Sequence, residues 1–154
     1  MNFKRKLKNW KKLFSTCSHP PVILIRGMIG VVFLIAGLQK FIFPGEMGPG
    51  RFEEMGYAYP AFTAYAVGFF EAGGGVLILL GLATRLAAVP IAVIMSVAII
   101  TTKIPRLEAG IWDFLHGSRL DFAMLMGALF LIWSGADRLS LDARLGKRKR
   151  AGFS

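Results

Sequence analysis

Residues 65–85 read YAVGFFEAGGGVLILLGLATR, and the fold turns on how this stretch is understood. It is long enough to cross a bilayer as a helix, yet Glu71 sits near its middle. A carboxylate at the bilayer centre costs about 2.5–3.5 kcal/mol even on the lenient insertion scale. Gly68 lies one turn before it, Gly73, Gly74 and Gly75 follow it, and Gly81 closes the run. Small residues let neighbouring helices approach closely. Glu71 is therefore expected to face protein or trapped water rather than lipid, and its partner becomes the central question.

The rest of the chain fits that beginning. Of 154 residues, 55% are hydrophobic, yet the net charge is +10. A soluble domain is rarely so apolar and so basic together unless the two kinds of residue are segregated. Here they are. Lys4, Arg5, Lys6, Lys8, Lys11 and Lys12 crowd the start, and Arg138, Arg144, Lys147, Arg148, Lys149 and Arg150 crowd the end. Terminal basic clusters beside apolar spans set membrane orientation, and no recognition motif lies between them, so nucleic acid is not the expected partner. Cys17 is the single cysteine, which excludes an internal disulfide, a CxxC pair and a four-cysteine metal site.

Four spans are predicted, at about 21–43, 61–82, 86–102 and 120–136. Residues 1–20 form a basic tail in which Phe3, Leu7, Trp10 and Phe14 recur at helical spacing, a pattern suited to an anionic membrane surface. A disordered basic arm is the plainer alternative. Residues 137–154 form a second basic tail. Pro20 and Pro21 suit the start of the first span and Pro44-Gly45 its end. Within that span Arg26, Gly30, Phe33, Gly37 and Lys40 share one face, the side expected to meet other helices. Arg26 and Lys40, near opposite ends, could equally snorkel to the two interfaces. Residues 44–60 are rich in Gly and Pro and read as a loop, Pro90 falls early in the third span, and Lys103, Pro105 and Arg106 stop it. The stretch IPRLEAGIWDFLHGSR (104–119) is expected to be too polar to cross, with Trp112, Phe114 and Leu115 resting in the interface.

The expected architecture is thus all-α, an integral membrane four-helix bundle with both termini cytoplasmic, the side that the basic tails and Arg85 select by the positive-inside rule. In this topology Lys40, Lys103, His116 and Asp121 gather towards the outer face, and Arg26, Arg85 and Arg138 towards the inner one. Glu71 lies roughly 15 Å into its helix. A carboxylate at that depth needs a cationic neighbour to stay charged, and Lys40 and Arg26 are the candidates.

The segments RGMIGVVFLIAGLQKF (26–41), FEAGGGVLILLGLATRLAA (70–88) and GADRLSLD (135–142), in that order, resemble the DoxX family of small bacterial four-helix membrane proteins. The resemblance covers about residues 22–142. Arg26, Gly30, Gly37 and Lys40 match the family's first helix. Glu71, Gly74, Gly75, Gly81, Thr84 and Arg85 match the second helix and its link, and Arg138, Ser140, Leu141 and Asp142 match the tail. Where the family often has Glu at the start of the fourth helix, this chain has Asp121. The resemblance implies an inner-membrane protein linked to thiosulfate–quinone oxidoreduction or to complexes that handle oxidative or thiol stress.

Fold-level likeness does not transfer chemistry, so the residues must supply it. His19 and His116 fall in a tail and an outer loop, which disfavours a bis-histidine haem. No metal-ligand spacing is present, and Met28, Met95, Met124 and Met126 read as core filler. What remains is a polar pocket of Glu71 with Lys40, Arg26 or Asp121, able to hold a quinone head group, a small anion or a proton. It is weighed against a structural ion pair that merely fixes packing. Three function classes follow: a membrane subunit or anchor of a redox system without independent activity, a proton-linked carrier using Glu71, and an assembly factor. No cofactor is expected in the chain itself, though quinone is possible. The expected partners are the anionic inner leaflet and either a soluble oxidoreductase or further copies of the chain.

Overall fold

The computed structural model describes residues 22–137, 139–143 and 145. The expectations for tail 1–20, for Pro20 and Pro21, for Arg138 and for most of the second basic tail lie outside these residues. Of residues 106 and 109 only the backbone is described. The elements are α1 (Val22–Ile42), α2 (Pro49–Glu54), α3 (Pro60–Leu80), α4 (Thr84–Ala98) and α5 (Ile111–Ser134), with two tight segments between α4 and α5. Four helices are long and apolar enough to cross a membrane, and no strand occurs among the described residues.

α1 and α3 form the closest pair, and glycine is the reason. A Cβ on Gly37 would sit 2.3 Å from Ala72 N and 2.6 Å from Gly68 O, and one on Gly75 would sit 2.6 Å from Leu34 N. These neighbours are backbone atoms that cannot swing aside, so the helices touch main chain to main chain. The buried face of α1 comprises Val22, Arg26, Ile29, Gly30, Phe33 and Gly37, the stripe expected from the 3.6-residue period. α4 closes over α3 where Ile91 covers Gly74, and α5 closes over α1 where Ile29 covers Gly127. The core between the four spans holds Ile29, Phe33, Ile78, Ile91 and Leu131, while the outward faces carry Leu24, Phe62, Leu86 and many other large apolar side chains. Such a surface suits lipid, not water.

The ends of α3 and α4 have local causes. α3 stops at Gly81 (φ +68), where Leu82 N–H bonds Leu77 O at 2.9 Å and Gly81 N–H bonds Ile78 O at 3.1 Å, a Schellman closure. α4 contains Pro90, which removes one helical N–H. It then widens into a π-helical turn over Ile99–Lys103, where Thr101 and Thr102 hydroxyls donate to Val97 O and Ala98 O at 2.8 and 2.6 Å. Such back-bonding bends helices. A 3-10 segment, Ile104–Ala109, carries the chain to Gly110, whose φ of +133 admits glycine far more readily than other residues.

Two expectations need correction. The loop 44–60 contains a helical turn, α2, opened by Pro49 and anchored by buried Phe52 against Tyr57. The last helix begins at Ile111 rather than near 120, so Trp112 and Arg119 belong to it. His116, Ser118, Arg119 and Asp121 lower the local hydropathy to that of a loop, but none of them breaks the helix. Trp112 and Trp133, both strongly exposed, mark its two ends. At about 1.5 Å per residue they stand about 32 Å apart, close to the roughly 30 Å hydrocarbon core between whose interfaces tryptophan concentrates.

Candidate functional site

The polar residues inside the bundle do not form one pocket. Among the described residues they sort into three ion pairs at different places: of the three candidates it is Lys40 that meets Glu71, while Arg26 and Asp121 each take another partner.

The first pair is Lys40–Glu71. Glu71 is buried on α3, and the Lys40 ammonium donates to its Oε2. The close crossing at Gly37 makes this possible. The Lys40 stem passes Gly68, where an added Cβ would meet Lys40 Cβ at 3.2 Å, and the ammonium reaches one turn further along α3. Lys40 also lies 3.4 Å from Ala36 O. Beside the pair, Phe41 packs on Gly68 and stacks on Tyr65 with ring centroids 5.5 Å apart, both rings partly exposed. The site therefore combines a buried carboxylate, an ammonium whose side chain keeps 14% of its exposure, and an aromatic edge open to the surroundings.

The second pair is Arg26–Asp137, at the end where α1 begins. Arg26 Nη1 lies 2.7 Å from Asp137 Oδ1, while Nε and Nη2 donate to Ile78 O at 3.0 Å and Leu79 O at 2.8 Å. Those carbonyls belong to the last turn of α3, where intrahelical donors run out and a cation is favoured. Arg26 does not snorkel: it is 4% exposed. Neighbouring bonds tie the same end together. Asp142 Oδ1 accepts from Ala83 N–H at 3.0 Å, its own N–H donates to Gly81 O at 3.1 Å, and Arg85 Nη2 donates to Ser134 O at 3.3 Å. Ala83, with φ +48, is the one non-glycine with positive φ among the described residues, and the Asp142 bond holds it there. A Cβ on Gly81 would meet Arg26 Nη2 and Ser140 Cβ, each at 2.5 Å. The family-motif residues Gly81, Arg85 and Asp142 thus meet in one fastening. Asp137 was not singled out from the sequence because it stands past the last apolar residue and looks solvated. Its only signal was its place in the GADRLSLD segment.

The third pair is Lys103–Asp121, 3.1 Å apart, between the π-helical turn and α5. Both side chains are part-exposed, and Asp121 lies about 14 Å along α5 from Trp112. Gly30, Gly37, Gly74 and Gly75 act as helix contacts, as described above. Among the described residues no group of three His, Cys, Asp or Glu side chains is placed to hold a metal ion.

The DoxX family model matches residues 22–104. An uncharacterized membrane protein of Mycobacterium tuberculosis is 45% identical over 150 residues, covering 93% of this chain and 92% of the relative. A Bacillus subtilis protein named "Putative oxidoreductase CatD" is 33% identical over 130 residues, covering 84% and 90%. No solved structure gives a significant match.

Proposed function

This chain belongs to the DoxX family, and from that premise we propose that it is the membrane subunit of a redox system, holding a quinone head group at the Lys40–Glu71 pair for a soluble oxidoreductase. The observation that carries the proposal is the pair itself. It is a carboxylate and an ammonium within the apolar bundle, beside an aromatic edge that opens outward. Charged groups in that setting are expensive to keep, which is why they mark functional sites in membrane proteins. The ammonium can donate to a quinone carbonyl, Glu71 can take or give the accompanying proton, and the Phe41–Tyr65 edge offers a face for the ring. The oxidoreductase in the name of the Bacillus subtilis relative supports the same class. In this proposal the chain lies in a bacterial inner membrane with its basic tails in the cytoplasm, where the partner enzyme docks.

The test is extraction in mild detergent, followed by identification of bound quinone and co-purifying soluble protein. Wild type should retain quinone, and Glu71→Gln should lose most of it while keeping its helical content. If neither quinone nor partner enzyme is found, the redox proposal fails. Substrate-dependent proton uptake into proteoliposomes, lost in Glu71→Gln, would then identify a proton-linked carrier instead.

A further inference from the structure

A cleft of about 390 Å³ opens at the Arg26 end of the bundle, lined by Ile23, Arg26, Gly27, Leu80 and Leu139 among others. We propose that this cleft is a binding site for one anionic phospholipid, with an acyl chain against its leucines and the head group at its rim. The volume falls within the range of roughly 300–1,000 Å³ that small-molecule sites occupy. Three observations select the occupant.

The first is depth. The cleft sits between the first turn of α1 and the last turn of α3, the level at which Trp133 ends α5. That is where glycerol and head group meet the hydrocarbon. The second is lining. Ile23, Leu80 and Leu139 are 41%, 49% and 70% exposed, and an added Cβ on Gly27 meets nothing within 4 Å, so the wall is apolar and has room. The third is charge. The described chain enters at Val22 and leaves at Leu145, both at this end, and the sequence beyond these points carries Lys4, Arg5, Lys6, Lys8, Lys11 and Lys12 on one side and Lys147, Arg148, Lys149 and Arg150 on the other. Basic runs beside a membrane attract anionic lipid. At the floor, Arg26 uses three N–H groups on Asp137, Ile78 O and Leu79 O.

The site is separate from Lys40–Glu71, and its test uses a different lipid and different variants from the quinone experiment. The full chain is placed in nanodiscs of phosphatidylcholine containing a minor share of phosphatidylglycerol, then released and weighed by native mass spectrometry. Wild type should retain phosphatidylglycerol with a preference of about tenfold over phosphatidylcholine. Gly27→Phe fills the cleft without touching the core and should abolish that retention. Gly73→Phe, at a second glycine whose Cβ would meet nothing, should leave it unchanged. Leu139→Glu, on the exposed rim, should reduce retention and serves as the second variant should Gly27→Phe fail to fold. Equal retention of both lipids, undiminished retention in the folded cleft variants, or a cleft-dependent quinone in place of the lipid would each overturn the proposal.

Discussion

Arg26 and Lys40 stand on the same face of α1, yet they are held in opposite ways. Arg26 makes one contact to a carboxylate and two to backbone carbonyls, and it is 4% exposed. Lys40 meets Glu71 through a single nitrogen and keeps part of its surface open. A guanidinium is a rigid fork that several acceptors can fix at once, whereas an ammonium is a point charge on a flexible stem. The first arrangement fastens helix ends. In the proposed quinone site the second would exchange its partner for a ligand, which its single contact allows. Among the three ion pairs of the described residues, Lys40–Glu71 joins a buried carboxylate to a partly open ammonium, and the proposed quinone site rests on that difference.

The largest effect that could break this comparison is at Arg26. Arg26→Leu leaves Asp137 buried without a cation and the last turn of α3 uncapped, which should cost about 3–5 kcal/mol and sharply lower the unfolding temperature in detergent. Arg26→Lys should fail to restore it, because one ammonium cannot span the three acceptors. Full rescue by lysine would show that the two pairs are of one kind.

Next comes the crossing that brings Lys40 to Glu71. Gly37→Leu must push α1 off the Ala72 and Gly68 backbone and should cost about 1–3 kcal/mol in thermal unfolding. Gly73→Leu, facing open space, should change stability by less than about 0.5 kcal/mol. If the two behave alike, the main-chain contact does not set the pair's geometry.

Glu71→Gln should be milder in stability, about 1 kcal/mol, since the amide still accepts a hydrogen bond and Lys40 can extend towards the interface. The same variant should lose most bound quinone. Large destabilisation with ligand retained would make Lys40–Glu71 a fastening like Arg26–Asp137.

How far the sequence could show these differences depends on what each signal measures. The α1 stripe was legible because a helix repeats its buried face every 3.6 residues, and Glu71 was legible because a carboxylate inside an apolar run is costly. Partner choice was not. Lys40 and Arg26 lie on the same face of α1, and only the register of the crossing decides which one meets Glu71. Asp137 was hidden because hydropathy stops at the last apolar residue, whereas the fold continues past it to cap α3. The start of α5 at Ile111 was hidden for the converse reason: Asp113, His116 and Arg119 lower an average without breaking a helix.

The Arg26–Asp137 bond joins residues 111 positions apart. A ribosome delivers α1 to the membrane long before it has made the acid that will neutralise Arg26, so the arginine must bide its time near the head groups, one turn inside its helix. The bundle can lock only when translation has passed the fourth span. A chain cut just short of Asp137 would keep all four apolar helices and still leave the guanidinium without its acid.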